Sequence, residues 1–150
     1  MDRGAGKEEG AKQSPVRTAV RWLLAAAYAF AGYKHLADPA GFIAITPGWV
    51  PDPALVVKGT GLCEVAGALG LIVPPALIRW ARPAAGIGLA LYALCVWPAN
   101  FNHALHDIPL NGVHLGWWYH GPRLLLQPLF IWAALWVGGV TDWPFRRRAG

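Results

Sequence analysis

Sixteen polar and Gly-rich positions, MDRGAGKEEGAKQSPV (1–16), open the chain and give way to four long apolar stretches separated by polar or Pro-rich turns. The stretches run over about 18–35, 54–73, 83–101 and 122–140. Each approaches the roughly 20 residues a helix needs to cross about 30 Å of hydrocarbon. Each is rich in Gly and Ala, which let membrane helices approach closely. The pattern predicts an all-α fold, an integral membrane four-helix bundle. Residues 1–16 are expected to be a disordered cytoplasmic tail, 17–143 the helical domain and 144–150 a basic cytoplasmic tail. The first stretch also has the basic-then-apolar shape of a signal peptide, but its length and its continuation into AGYKHLADP favour a retained helix.

Composition sharpens the picture. The chain is 55% hydrophobic and 14% charged, with nine Trp. A soluble domain carries about 25% charged residues, so the surplus apolar surface must face something other than water. The net charge of +5 comes from basic residues that flank the apolar stretches. That placement fits anionic lipid and membrane topology, and no nucleic-acid partner is expected.

Ten of the thirteen Lys and Arg lie in the N-terminal tail and first-helix entrance, in the 74–82 turn, or at the C-terminus. The 36–53 and 102–121 loops carry none. Four spans with both termini in the cytoplasm put all ten inside. Trp22, Trp80 and Trp143 then mark the inner interface, and Trp49, Trp117 and Trp118 the outer one.

Polar groups within the spans are few. Glu64 sits in the second, in GLCEVAG, and a charge at such depth costs about 2.5–3.5 kcal/mol on insertion scales unless it faces the bundle interior and finds a partner. Thr60, Gly61, Gly67 and Ala68 share its helical face and invite a neighbouring helix. Asn100 follows Pro98, whose missing amide is expected to loosen the end of the third helix. Arg123 and Gln127, spaced i and i+4, share a face of the fourth. His35 ends the first. These residues are expected to gather in one outward-opening pocket, with Arg123 the natural counter-charge for Glu64 and Lys34 or Lys58 as alternatives. Lys34 and His103 complete the candidate set. A packing network that only clamps helices is the alternative reading of the same groups, and a proton or ion path is a third.

The His-containing segment NHALHDIPLNGVHLGWWYHGPR holds His103 and His106 at i and i+3 beside Asp107, but lacks a ligand pattern such as H-E-x-x-H, so no metal site is assigned. Cys63 and Cys95 form no C-x-x-C and are expected to pack as small hydrophobes. Haem-attachment, iron–sulfur and nucleotide-binding motifs are absent from the sequence.

Several pieces together resemble the DoxX family of small four-helix membrane proteins: AGYKHLADP, ITPGWVPDP, GTGLCEVAGALGLIVP, RWARPAAGIGLALYALCVWPANFNHALH and RLLLQ, in the family's order over about residues 31–137. The resemblance picks out Gly32, His35, Pro47, Pro51, Gly61, Glu64, Gly67, Pro98, Asn100, Arg123 and Gln127. Leu36 stands where the family often has Phe, and Leu125 where many members have Pro, which implies a straighter fourth helix. It implies a four-pass protein of the bacterial plasma membrane. Some relatives are described as the quinone-side subunit of a thiosulfate:quinone oxidoreductase. A quinone is therefore the candidate ligand, and a redox partner subunit the candidate source of electrons. No residue is assigned a catalytic role. The alternative is a non-enzymatic membrane scaffold or assembly partner whose polar cluster is structural.

Overall fold

The structure, a computed structural model, describes residues 14–110 and 112–145. It is all-helical: α1 (Pro15–Ala37), α2 (Ala40–Ile45), α3 (Pro53–Ile72), α4 (Ala81–His106) and α5 (Trp117–Gly138). Among the described residues, Leu110 and Val113 form an isolated bridge and no strand. The four long helices pack in a ring, α1 on α3, α3 on α4, α4 on α5 and α5 back on α1.

Local chemistry starts and stops these helices. The Ser14 hydroxyl accepts from the Arg17 amide and Pro15 takes the first turn, where its missing N–H is harmless. Asp52 and Pro53 repeat the device at α3, with the Asp52 carboxylate 3.2 Å from the Leu55 amide. Gly139, at φ 84°, closes α5 in the left-handed conformation.

The boundaries correct four expectations. α1 begins at Pro15, inside the expected tail; residues 1–13 and the basic positions 146–148 lie outside the described residues. α4 does not loosen at Pro98 but runs on to His106. α5 begins at Trp117, ahead of the expected 122, and carries Pro122 and Pro128 inside it. α2, not anticipated, lies against α3 and α4.

Two close crossings fix the ring. A Cβ on Gly32 would stand 2.7 Å from the Gly61 carbonyl oxygen, so α1 and α3 touch backbone to backbone. A Cβ on Gly86 would stand 2.7 Å from the Ala134 carbonyl oxygen, which sets α4 against α5. Only small residues permit such contact. The core between the helices is built from Leu24, Tyr28, Leu71, Leu89, Trp136 and Val137 with interspersed Ala.

Arg17 ties the first helix to the last. Its guanidinium donates to the carbonyls of Trp136 (2.7 Å) and Thr141 (3.5 Å) and to the Asp142 carboxylate (2.8 Å). It thereby satisfies carbonyls at the C-terminal end of α5 and holds both described ends of the chain at one end of the bundle.

α3 and α4 are long and apolar enough to cross a membrane, with mean hydropathies of 1.6 and 1.5. Only 33% of each apolar window is buried inside the protein. Leu55, Leu62, Leu69, Leu91 and Leu94 on these two helices face outward.

Candidate functional site

Glu64 lies mid-way along α3 and is 2% exposed. The Gly32–Gly61 crossing brings α1 against its face, and Gly67 on the same face accommodates Leu89 of α4. The carboxylate is therefore aimed into the ring. Tyr92 of α4 donates its hydroxyl to Oε1 at 2.7 Å. Oε2 stands 2.6 Å from Nδ1 of His35 on α1. That nitrogen is also 3.0 Å from the Ala31 carbonyl, which lies in line with its hydrogen, while Oε2 lies off that line. The contact is thus a close polar approach between α3 and α1, at ion-pair distance but without hydrogen-bond alignment. The His35 ring lies against Phe42 of α2, with centroids 3.7 Å apart and the planes tilted by 31°.

These groups form one wall of a cavity of about 730 Å3, within the range of small-molecule pockets. Arg123, Gln127 and Asn100 stand in its lining with Tyr28 and Thr60, among mainly apolar side chains. Gln127 is buried and donates to the Ala93 carbonyl at 2.7 Å, spanning α5 and α4. Phe42, Ile45 and Thr46 roof the end near His35. Asn102 anchors that roof through the Ile45 carbonyl at 3.0 Å. A short helix that the sequence did not announce thus contributes to the cavity lining near His35. Trp49 and Trp118 stand exposed at its rim.

Arg123 is not the counter-charge of Glu64. Its Nη1 donates to Nδ1 of His103 at 2.9 Å, and its guanidinium lies 5.8 Å from the centre of the Tyr119 ring. Arg123 and Glu64 share the cavity but not a contact; the basic side chain against Glu64 is His35. His103 is fully buried and stands behind Arg123, outside the cavity lining. Because its Nδ1 accepts, Nε2 carries the hydrogen and cannot serve as a metal ligand in that state.

His120, 4.5 Å away ring to ring, is buried with neither nitrogen hydrogen-bonded among the described residues. Asp107 lies 3.7 Å from its Nε2 and binds His114 at 2.9 Å. No group of three or more His, Cys, Asp or Glu among the described residues is arranged to hold a metal ion.

Lys34 leaves the candidate set. It pairs with Asp38 at 3.1 Å, one turn along α1, where both side chains are largely exposed. Lys58 is exposed as well. Cys63 and Cys95 are free and exposed instead of packed. Sequence reasoning missed Tyr92, which carries no formal charge and reads as one more apolar position in ALYALCVW. Its spacing from Asn100, two helical turns, was the available signal.

No curated protein matches the chain, and no solved structure does. The family model described as a domain of unknown function (DUF8561) matches residues 24–138, from the core residue Leu24 to the α4–α5 crossing at Gly138. The match covers α1 from Leu24 onward, all of α3, α4 and α5, and the cavity between them, and the chain belongs to the DUF8561 family.

Proposed function

We propose that the chain crosses the bilayer four times, through α1, α3, α4 and α5, and that its cavity binds a small amphipathic molecule bearing oxygen acceptors, for which a quinone is the candidate. The exterior supports the membrane reading. Leu23 on α1 is 71% exposed and Leu125 on α5 79% exposed, and Phe30, Leu62, Leu91 and Leu129 also face out. An apolar surface this wide is unstable in water and natural in lipid. α1 and α5 have 23 and 22 residues, or roughly 33–35 Å at 1.5 Å per residue. Arg17 of α1 and Arg82 of α4 lie at the same end of the bundle, beside the end of α5. By the positive-inside tendency that end is cytoplasmic.

The observation that carries the ligand reading is Glu64. One of its oxygens accepts from Tyr92 and the other lies against the His35 ring without a hydrogen bond among the described residues, and it borders an open volume. A carboxylate, an imidazole and a phenol in contact can pass protons to or from a bound oxygen. Arg123, Gln127 and Asn100 supply donors on the same cavity. Reduction of a quinone to a hydroquinone takes two electrons and two protons; the electrons would come from a redox partner subunit. The likeness to DoxX proteins, and with it a bacterial plasma membrane setting, belongs to this proposal.

Native mass spectrometry with solvent extraction of protein purified from membranes tests it. A lipid-soluble molecule should accompany the wild type and be depleted in Glu64→Gln. Protein that carries nothing and binds no added quinone supports the second reading, a membrane scaffold. The Gln127–Ala93 and Tyr92–Glu64 bonds, which clamp neighbouring helices, favour that alternative.

A further inference from the structure

α1 and α5 are closed at one end and open beyond it. At the cytoplasmic end Arg17 grips the end of α5, and Leu24, Ala133 and Val137 are buried together in one core. Farther along, both helices contribute uncovered residues to the cavity beside buried ones such as Tyr28, His35 and Gln127. Ala27 of α1 is exposed, Leu126 of α5 is 41% exposed and Phe130 39% exposed, and all three line the cavity. They are apolar without exception. Ala27 and Phe130 fall near the middle of α1 and α5, at the depth of the hydrocarbon if these helices span.

We propose that the cavity is reached sideways from the bilayer through this α1–α5 seam, and that its occupant is a lipid-soluble molecule with a compact hydrogen-bonding head and a hydrocarbon tail. The head lies against Glu64, His35 and Tyr92, and the tail leaves between Ala27 and Leu126/Phe130. This rests on the reading of the cavity as a ligand site and adds the route and the shape of the ligand. The cavity runs without a break from the buried carboxylate to the seam, so one molecule filling both must be polar at one end and apolar at the other. A helix from a second copy does not fit. About 10–12 Å wide with its side chains, it would have to part α1 from α5 against the Arg17 contacts.

Two measurements separate the seam from the ligand. The first is equilibrium binding of a dimethoxy-methyl-benzoquinone, with and without a decyl tail, to protein in nanodiscs, corrected against empty discs. The tailed compound should bind at least about ten-fold tighter than the tail-less one, the gain of burying about two methylenes. Ala27→Trp, which fills the seam, should abolish that advantage, whereas Phe30→Trp, on the outer face of α1, should leave it. Equal affinity for both compounds, unchanged by Ala27→Trp, overturns the seam and leaves the cavity reading standing.

The second does not depend on the head group. A bimane on Ala31→Cys, in a background without Cys63 and Cys95, reports from the cavity wall. It should be quenched by phospholipids spin-labelled at mid-chain, and Ala27→Trp should protect it. Absence of quenching overturns the lateral route whatever the ligand. Quenching without quinone binding keeps the route and removes the quinone.

Discussion

Oε2 of Glu64 and Nδ1 of His35 stand 2.6 Å apart inside the helical ring, joining α3 to α1. Tyr92 holds the other carboxylate oxygen from α4. Three helices thus meet on one buried acid. Glu64→Ala should be the more destabilising change, because it takes the acceptor from the Tyr92 hydroxyl and leaves a void against His35, a loss of about 2–5 kcal/mol. Glu64→Gln keeps an acceptor and should lose about 1–3 kcal/mol. Thermal unfolding in detergent should rank wild type, Gln and Ala in that order. Equal stability of all three would mean the acid has no structural partner.

The contact depends on a glycine. A Cβ on Gly61 would meet Cβ of His35 at 2.8 Å and the Gly32 carbonyl at 3.1 Å. Gly61→Ala should therefore push α1 from α3 and lower stability by about 1–3 kcal/mol. Gly59, two residues earlier, has nothing within 4 Å of such a Cβ. Gly59→Ala should be neutral or stabilising by about 0.4–1 kcal/mol. Unfolding curves for the two variants should move in opposite directions or differ plainly in size.

His103 positions Arg123 through its acceptor nitrogen, 2.9 Å from Nη1. His103→Phe removes that acceptor and leaves a guanidinium donor partly buried without it, a loss of about 1.5–3 kcal/mol for a hydrogen bond to a charged group. His103→Asn, which retains an acceptor, should recover part of the loss. If Phe and Asn behave alike in thermal unfolding, the Arg123–His103 bond carries no weight.

Topology has its own test. In a background without Cys63 and Cys95, single cysteines at Trp49 and Val113 should react with a membrane-impermeant thiol reagent added outside intact cells. One at Leu77, in the α3–α4 turn, should react only after the membrane is opened. All three positions are exposed on the protein itself. Labelling of Leu77→Cys from outside would invert or abolish the four-span arrangement.

The four long helices are legible in the sequence because each is an apolar run of the right length bounded by Pro, Gly or charge. α2 is not: AGFIAI has six residues, too few for a 3.6-residue period to show. Its residues Phe42 and Ile45 nevertheless line the cavity, so part of the wall was not readable in advance. Glu64, His35, Asn100, Gln127 and Arg123 were recognisable as groups that must face inward, and they share one cavity. Which pairs with which was not recognisable, since the partner of a buried acid depends on which helix crosses it. The Gly32–Gly61 crossing gives Glu64 to His35, and the run of α4 past Pro98 carries His103 up to Arg123. Lys34 was misplaced because a residue at the end of a helix can turn to solvent, and Asp38 one turn on takes it there.

The most direct test of the central claim, that the cavity beside Glu64 receives a lipid-soluble ligand, is the melting temperature of purified protein titrated with the decyl benzoquinone. Saturation at about 100-fold above Kd is worth about 2.7 kcal/mol, roughly a 5–10 °C rise for a chain of this size. The account predicts that rise in the wild type and its loss in Glu64→Gln. No rise in the wild type, or the same rise in both, would contradict it.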